Sequence, residues 1–214
     1  RTYDCSSEQV IRFLLEAIRN YRSTGAIAPS SRFLARTMVM SIPDTFPKRV
    51  LEVGCGTGAF TKEILTKLKD GDEFHIVELS SDFCESVEAT ILLQFRRDNP
   101  NVNIVVHNAP IEEAEIQGQF DAIICGLPFN NFPLDLVEHL FSVMFGFLRV
   151  GGELAYFEYL GMRGLKRVFG LLGVRRETKQ RTIDIDSRYQ KCNGSQQTVW
   201  RNLPSCRVVR LRQC

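Results

Sequence analysis

Val50-Leu51-Glu52-Val53-Gly54-Cys55-Gly56-Thr57-Gly58 decides the fold. Its first four residues make a short apolar strand interrupted only by Glu52, and they run directly into three glycines spaced two apart. Glycines at that spacing let a chain turn sharply and bring its backbone close to a ligand. From Arg49 onward strand and helix patterns alternate, the mark of an α/β domain with a mostly parallel sheet. Strands are predicted near 49–53, 73–78, 102–106, 120–125 and 152–158, and helices near 58–68, 81–97 and 133–148. Thr198-Val199-Trp200 and Val208-Val209-Arg210-Leu211, separated by Leu203-Pro204-Ser205, predict a closing antiparallel hairpin. The expectation is a doubly wound, seven-stranded, mostly parallel α/β sheet.

Ahead of this region Ser6-Ser7-Glu8-Gln9 has capping-box spacing, and Val10, Leu14, Ile18 and Tyr21 recur at helical intervals behind it. The other face of this amphipathic helix carries Arg12, Arg19 and Arg22, and Gly25 ends it. A second short helix should follow Pro29, capped by Ser30 or Ser31, with Phe33, Leu34 and Met38 turned inward. Residues 43–47 read as a loop, and 161–176 as an amphipathic helix broken by glycines.

A length of 214 residues fits one sizeable domain without staples. The net charge of +2 hides an uneven distribution: +4 over residues 1–50, −12 over 51–158 and +10 over 159–214. Basic ends around an acidic middle suggest an anionic partner, phospholipid headgroups or nucleic acid. Seven scattered cysteines without a Cys-x-x-Cys pair or a Cys/His cluster predict reduced thiols in an intracellular protein, and no metal site. No signal peptide is evident, and no apolar run reaches the roughly 18 residues of a membrane-spanning helix.

Gly54-x-Gly56-x-x-Ala59 also satisfies the looser dinucleotide fingerprint, so the loop alone does not choose a ligand. Three neighbours do. Glu52 stands two residues before the first glycine, where a carboxylate suits a cation and repels pyrophosphate. Gly58 completes the run. Glu78, closing the second strand ahead of Leu79, lies at about the 20-residue offset where an acidic side chain accepts ribose hydroxyls. Together they resemble the Glu-x-Gly-x-Gly-x-Gly motif of class I S-adenosylmethionine-dependent methyltransferases; a dehydrogenase and a non-catalytic Rossmann-like protein are the alternatives. The third strand ends in His107-Asn108-Ala109, where such enzymes bond the adenine amino group, commonly with Asp; Asn108 offers its carbonyl instead. Cys125, ending the fourth strand, joins the expected cofactor contacts. His75 and His107 read as packing or surface residues.

The fourth strand delivers Gly126-Leu127-Pro128-Phe129-Asn130-Asn131-Phe132-Pro133 to the ligand-binding end of the sheet. This loop resembles the Asn-Pro-Pro-Tyr or Asn-Leu-Pro-Tyr motif of amine methyltransferases, departing from it at Gly126 and Phe129. Carbonyls of Gly126 and Leu127 would accept N–H bonds from the acceptor amine and aim its lone pair at the methyl; positioning supplies much of such catalysis. Tyr159 and Tyr21 are candidates for holding a methylated ammonium by cation–π attraction, and Glu158 is a candidate base. Along the fifth strand Phe157 and Tyr159 should share one face, Tyr156 and Glu158 the other.

Gly25-Ala26-Ile27-Ala28-Pro29-Ser30-Ser31-Arg32-Phe33-Leu34-Ala35, the glycine loop, the Gly126–Pro133 segment and Trp200-Arg201-Asn202-Leu203-Pro204 together resemble the short, soluble bacterial phospholipid N-methyltransferases. The resemblance implies a Rossmann-like fold. It also implies stepwise methylation of phosphatidylethanolamine toward phosphatidylcholine, with S-adenosylmethionine as donor and S-adenosylhomocysteine as product. Residues 1–47 would then be N-terminal helices forming a cofactor lid, with Ser30 or Arg32 touching the cofactor, and 48–214 the catalytic domain. An anionic membrane surface is the expected partner, met by Arg12 and Arg19 of the first helix and by Arg163, Lys166 and Arg167; Phe129 and Asn131 would face the substrate. The expected location is the cytoplasm, peripherally on a membrane. Nucleic acid is the weaker partner: an RNA adenine-N6 methyltransferase is the main rival, a catalytically silent binding subunit the second.

Overall fold

The computed structural model describes residues 30–129, 132–160, 194–202 and 204–214. Its strands are β1 (Arg49–Val53), β2 (Glu73–Val77), β3 (Asn103–His107), β4 (Phe120–Cys125), β5 (Leu148–Tyr159), β6 (Ser195–Val199) and β7 (Cys206–Arg212). They form one sheet in the order β3-β2-β1-β4-β5-β7-β6. β1 to β5 run parallel, and β7 is antiparallel to both β5 and β6, which is the closing hairpin expected. The Rossmann-like architecture is as the sequence predicts. Strand order reverses between β1 and β4, so their C-terminal ends open a crevice at the switch point.

Alternation along the strands divides the core. Val50, Phe74, Ile76, Ala122, Ile124 and Phe157 pack on one face against α1 (Arg32–Met38) and α2 (Ala59–Leu65). On the same face lies a helix of three parts: α3 (Ser81–Val87), a π-helical turn Glu88–Leu92, and α4 (Leu93–Asp98). Leu51, Val53, Ile123, Leu154 and Tyr156 turn the other way, onto α5 (Leu134–Phe147). Phe157 and Tyr159 share the first face and Tyr156 the second, as alternation requires.

The Ser31 hydroxyl accepts the Leu34 N–H at 3.2 Å, which caps α1. Leu34 and Met38 are buried as expected, but Phe33 is 46% exposed, a correction. Helical geometry puts Phe33 about 100° from Leu34, and the core takes the stripe through Leu34, Ala35 and Met38. Those side chains join the same cluster as Val50, so residues 30–42 are packed into the catalytic core. β5 begins four residues earlier than predicted: Leu148 already pairs with Phe120, and the register then shifts. Arg149 there binds Asp121 at 2.6 Å.

At the N-terminal end of β1 and β2, Lys48 and Asp72 are both shielded from solvent and pair at 2.6 Å. Asp72 also accepts the backbone N–H groups of Lys48 and Lys69. Beside them Arg49 grips Glu73, and Glu73 in turn bonds the His75 ring, which bonds His107 at 2.8 Å. The two imidazoles stack within the sheet, in the packing role expected of them. Arg49 and His75 hold the Glu73 carboxyl down to about 2, and burial lowers the pKa of His107.

Candidate functional site

Each of the first four strands ends at the same edge, and its next residue carries a polar or backbone group toward the switch point. Gly54, Gly56 and Gly58 all have left-handed φ, at 77°, 50° and 78°. Their reasons differ. A Cβ on Gly58 would lie 2.2 Å from Ile91 Cδ1 on the π turn, and one on Gly54 would lie 2.8 Å from Leu127 Cδ2. At Gly56 a Cβ would meet no atom of the described residues within 4 Å. The first two glycines serve packing, whereas Gly56 presents bare backbone to open space.

Glu78 folds back over this loop. One carboxylate oxygen accepts the Gly56 N–H at 3.0 Å and the other the Ser80 N–H at 3.0 Å, which leaves further acceptor lone pairs on both. Asn108 donates its amide N–H to the carbonyls of Glu78 and Leu79, at 2.9 and 3.1 Å, so its own carbonyl is the end left to accept. Beside Glu78 lies an open cleft of about 350 Å³ lined also by Val53, Gly54, Val77, Leu79, Ala109, Pro110, Ile111, Leu127 and Leu140; Gly56 and Asn108 do not line it directly. Its walls are apolar with one carboxylate and no basic side chain, which suits an uncharged ring and a ribose diol better than a pyrophosphate.

Glu52 lies beneath the loop, fully buried. Its Oε2 accepts the Thr61 hydroxyl at 2.7 Å, and its Oε1 has no partner among the described residues. Burial pushes its carboxyl up to about 8; the Thr61 bond pulls the other way and the charge of Glu78 adds to the rise.

The loop after β4 begins with a close approach. A Cβ on Gly126 would lie 2.2 Å from the Gly54 carbonyl oxygen, so glycine is required where related motifs carry Asn. The Gly126 N–H donates to the Val53 carbonyl at 2.8 Å, locking the two loops together. The Leu127 carbonyl accepts the Phe129 N–H at 3.0 Å, closing a tight turn beside the cleft.

Several expected contacts fall elsewhere. Phe129 is buried among Phe132, Phe141 and Tyr156 rather than facing a substrate, because the Leu127 turn swings its ring onto α5. Cys125 is fully buried, its thiol pushed up to about 12 by burial, and its side chain does not line the cleft. Tyr159 packs edge-on against Phe157 in the core. Glu158 pairs with Arg207 across the β5–β7 ladder at 3.5 Å. Arg32 bonds Glu63 of α2 at 3.1 Å, and neither it nor Ser30 lines the cleft. Tyr21, Arg12, Arg19, Asn131, Arg163, Lys166 and Arg167 lie outside the described residues. Leu140 and Ile111, which do line the cleft, escape a motif search; they are apolar residues set by α5 and the loop after β3. Among the described residues no cluster of metal-ligating side chains occurs, and no helix is long and apolar enough to cross a membrane.

Residues 51–154 match the family model of a methyltransferase domain. Ornithine lipid N-methyltransferase of Singulisphaera acidiphila is 29% identical over 137 residues, covering 62% of this chain and 68% of that protein. Malonyl-[acyl-carrier protein] O-methyltransferase 1 of Ilyobacter polytropus is 27% identical over 142 residues, 66% of this chain but 46% of that protein. The chain therefore spans less than half the length of the second relative. Among solved structures, the O-methyltransferase TomG of Streptomyces achromogenes in complex with SAM superposes with a TM-score of 0.61 at 12% identity, over 96% of this chain and 90% of that one. The O-methyltransferase from Bacillus cereus in complex with SAH gives 0.60 at 14% identity, over 94% and 91%. At such identities the likeness concerns the fold.

Residues 51–154 thus carry a methyltransferase domain on a Rossmann-like fold, and the chain is read as an S-adenosylmethionine-dependent methyltransferase. Its cofactor is accordingly S-adenosylmethionine, and the dinucleotide reading of the glycine loop is set aside.

Proposed function

We propose that the protein transfers methyl groups to the amine headgroup of an aminolipid, phosphatidylethanolamine on the way to phosphatidylcholine, at an anionic membrane surface. The observation that carries this reading is the junction of the two loops: Gly126 is locked under Gly54, and Leu127 forms the cleft wall beside it. Backbone carbonyls at that junction are suited to orienting an amine. The similarity to an ornithine lipid N-methyltransferase supports a lipid amine and makes ornithine lipid the second acceptor to test.

The bound cofactor supplies an electrophilic methyl on a sulfonium, so no covalent enzyme intermediate is required. Glu78 binds the ribose hydroxyls, the Asn108 carbonyl accepts from the adenine amino group, and Gly56 lets the backbone lie against the nucleoside. Glu52 supplies negative charge from below. Leu127 and Gly126 hold the neutral amine, and the ammonium formed on methylation loses its proton to water. Labelled methyl donor is incubated with phosphatidylethanolamine vesicles, ornithine lipid vesicles and RNA. Label is expected in the lipid fraction; label in RNA alone would overturn the reading.

Glu52 makes cofactor binding pH-dependent. Its folded pKa is raised to about 8, so between the ordinary carboxylate range and that value the folded chain retains a proton that the unfolded chain has lost. Its contribution to stability is therefore fully present at low pH and declines as pH rises toward about 8. A cationic ligand favours the ionised carboxylate. Affinity for S-adenosylmethionine should rise with pH and level off above about 8, with proton release on binding, and Glu52→Gln should flatten the profile. Calorimetry in buffers of different ionisation enthalpy reads this directly; a flat wild-type profile removes Glu52 from the role.

A further inference from the structure

We infer that the turn between β6 and β7, with its neighbour Phe33, is a membrane-docking tip on the same edge of the sheet as the methyl-transfer cleft. The inference rests on the aminolipid reading above and names the surface that brings the cleft to its substrate.

Topology sets the position. β5 runs parallel to β1 and β4, and its last residue Tyr159 pairs with Cys206, which also pairs with Val199. The Leu160 N–H donates to the Ser205 carbonyl at 2.7 Å. Residues 200–202, 204 and 205 therefore sit at the C-terminal edge, beside the ends that carry Gly54 and Gly126. β7 is the third strand from β1, so at about 4.8 Å per strand the turn lies on the order of 15 Å from the glycine loop. That is a span over which one bilayer surface can meet both the tip and the cleft mouth.

The turn is firmly held, which makes its exposed side chains a deliberate display. Asn202 is 3% exposed; its carbonyl accepts the Ser31 N–H at 2.9 Å and its amide donates to the Pro204 carbonyl at 2.8 Å, tying the hairpin to the start of α1. On this anchored frame Trp200 is 76% exposed and Phe33 46% exposed, with the Arg201 guanidinium 5.0 Å from the centre of the Phe33 ring. Arg32 and Arg36 stand on the same helix with largely exposed side chains, sharing the single carboxylate of Glu63. Among the described residues, three guanidiniums beside the one carboxylate of Glu63 place positive charge around two aromatic rings.

That pairing matches an anionic bilayer interface. Tryptophan settles where hydrocarbon gives way to headgroups, arginine lays its stem on apolar surface and its charge among phosphates, and basic groups are drawn to anionic leaflets. A tryptophan left in water is otherwise unfavourable, since its ring is usually well buried.

Trp200 is the only tryptophan of the chain, so its emission reports the proposed contact without labelling. The full chain is mixed with phosphatidylcholine vesicles, with or without phosphatidylglycerol. On anionic vesicles the emission should shift to the blue, be quenched by lipids brominated on the acyl chain, and become shielded from acrylamide. Trp200→Ala should lower vesicle partition about tenfold, and Arg201→Glu should remove the preference for anionic vesicles. Unchanged affinity of both variants for S-adenosylmethionine shows that they are folded. Emission that stays red and acrylamide-accessible on saturating anionic vesicles, or a Trp200→Ala variant that partitions like the parent, overturns the inference. So does shielding of Trp200 by RNA and not by vesicles. Methylation of a water-soluble, short-chain phosphatidylethanolamine separates the two levels: its loss defeats the aminolipid reading, whereas its persistence with Trp200 still in water defeats only the docking tip.

Discussion

A Gly56→Leu variant should fold and yet lose affinity for S-adenosylmethionine by at least about a hundredfold. The backbone there has φ of 50°, which costs a non-glycine residue about 1–2 kcal/mol. A Cβ at that position meets no atom of the described residues within 4 Å, so none of them adds a clash to the strain. At about 2–4 °C per kcal/mol for a chain of this size the melting temperature should fall by only a few degrees. The added side chain fills the space into which the bare backbone opens, and it disturbs the Gly56 N–H bond to Glu78. Calorimetric titration beside thermal unfolding reads both effects. Gly126→Ala is the contrasting control: its Cβ would meet the Gly54 backbone oxygen at 2.2 Å, so binding and stability should fall together. Wild-type affinity in Gly56→Leu would refute the placement of the cofactor against this loop.

Asp72→Ala should be the most destabilising single substitution of a charged residue in the described core. Lys48 Nζ and the Asp72 carboxylate are both removed from solvent at 2.6 Å. Deleting the carboxylate strands an ammonium inside the protein and leaves the N–H groups of Lys48 and Lys69 without their acceptor. Breaking a buried pair from one side costs about 3–5 kcal/mol, a large part of the roughly 5–15 kcal/mol that keeps a domain folded. The melting temperature should drop on the order of 10 °C. Replacing both partners by apolar residues of similar volume should recover most of the loss, because the penalty lies in the unpaired charge. A single variant with unchanged melting would show that water reaches Lys48.

How far the sequence foretold this arrangement depends on the range of the interaction. β1 was readable to the residue, since Val50, Leu51 and Val53 lead straight into a glycine turn that only a few folds use. Glu78 and Asn108 directly follow β2 and β3, positions that counting along the chain supplies. The Ser31 cap is likewise a local signal. What escaped was decided by neighbours far away in sequence. Phe129 looked like a substrate contact because it stands in a proline-aromatic loop, but α5 and Tyr156 offer it a buried socket. Cys125 lies at the right strand end, yet alternation turns its thiol into the core. Arg32 found Glu63 on another helix, a partner that no spacing rule reveals. The start of β5 moved because Leu148 pairs with Phe120 across the sheet.

The bond from Ser31 to Asn202, and that from Arg210 to the Thr37 carbonyl at 2.7 Å, fasten α1 to the closing hairpin at both its ends. Trimming the hairpin to obtain a minimal enzyme would thus unmoor a helix more than 160 residues upstream. With it would go the cover that Leu34, Ala35 and Met38 give to the neighbouring strands.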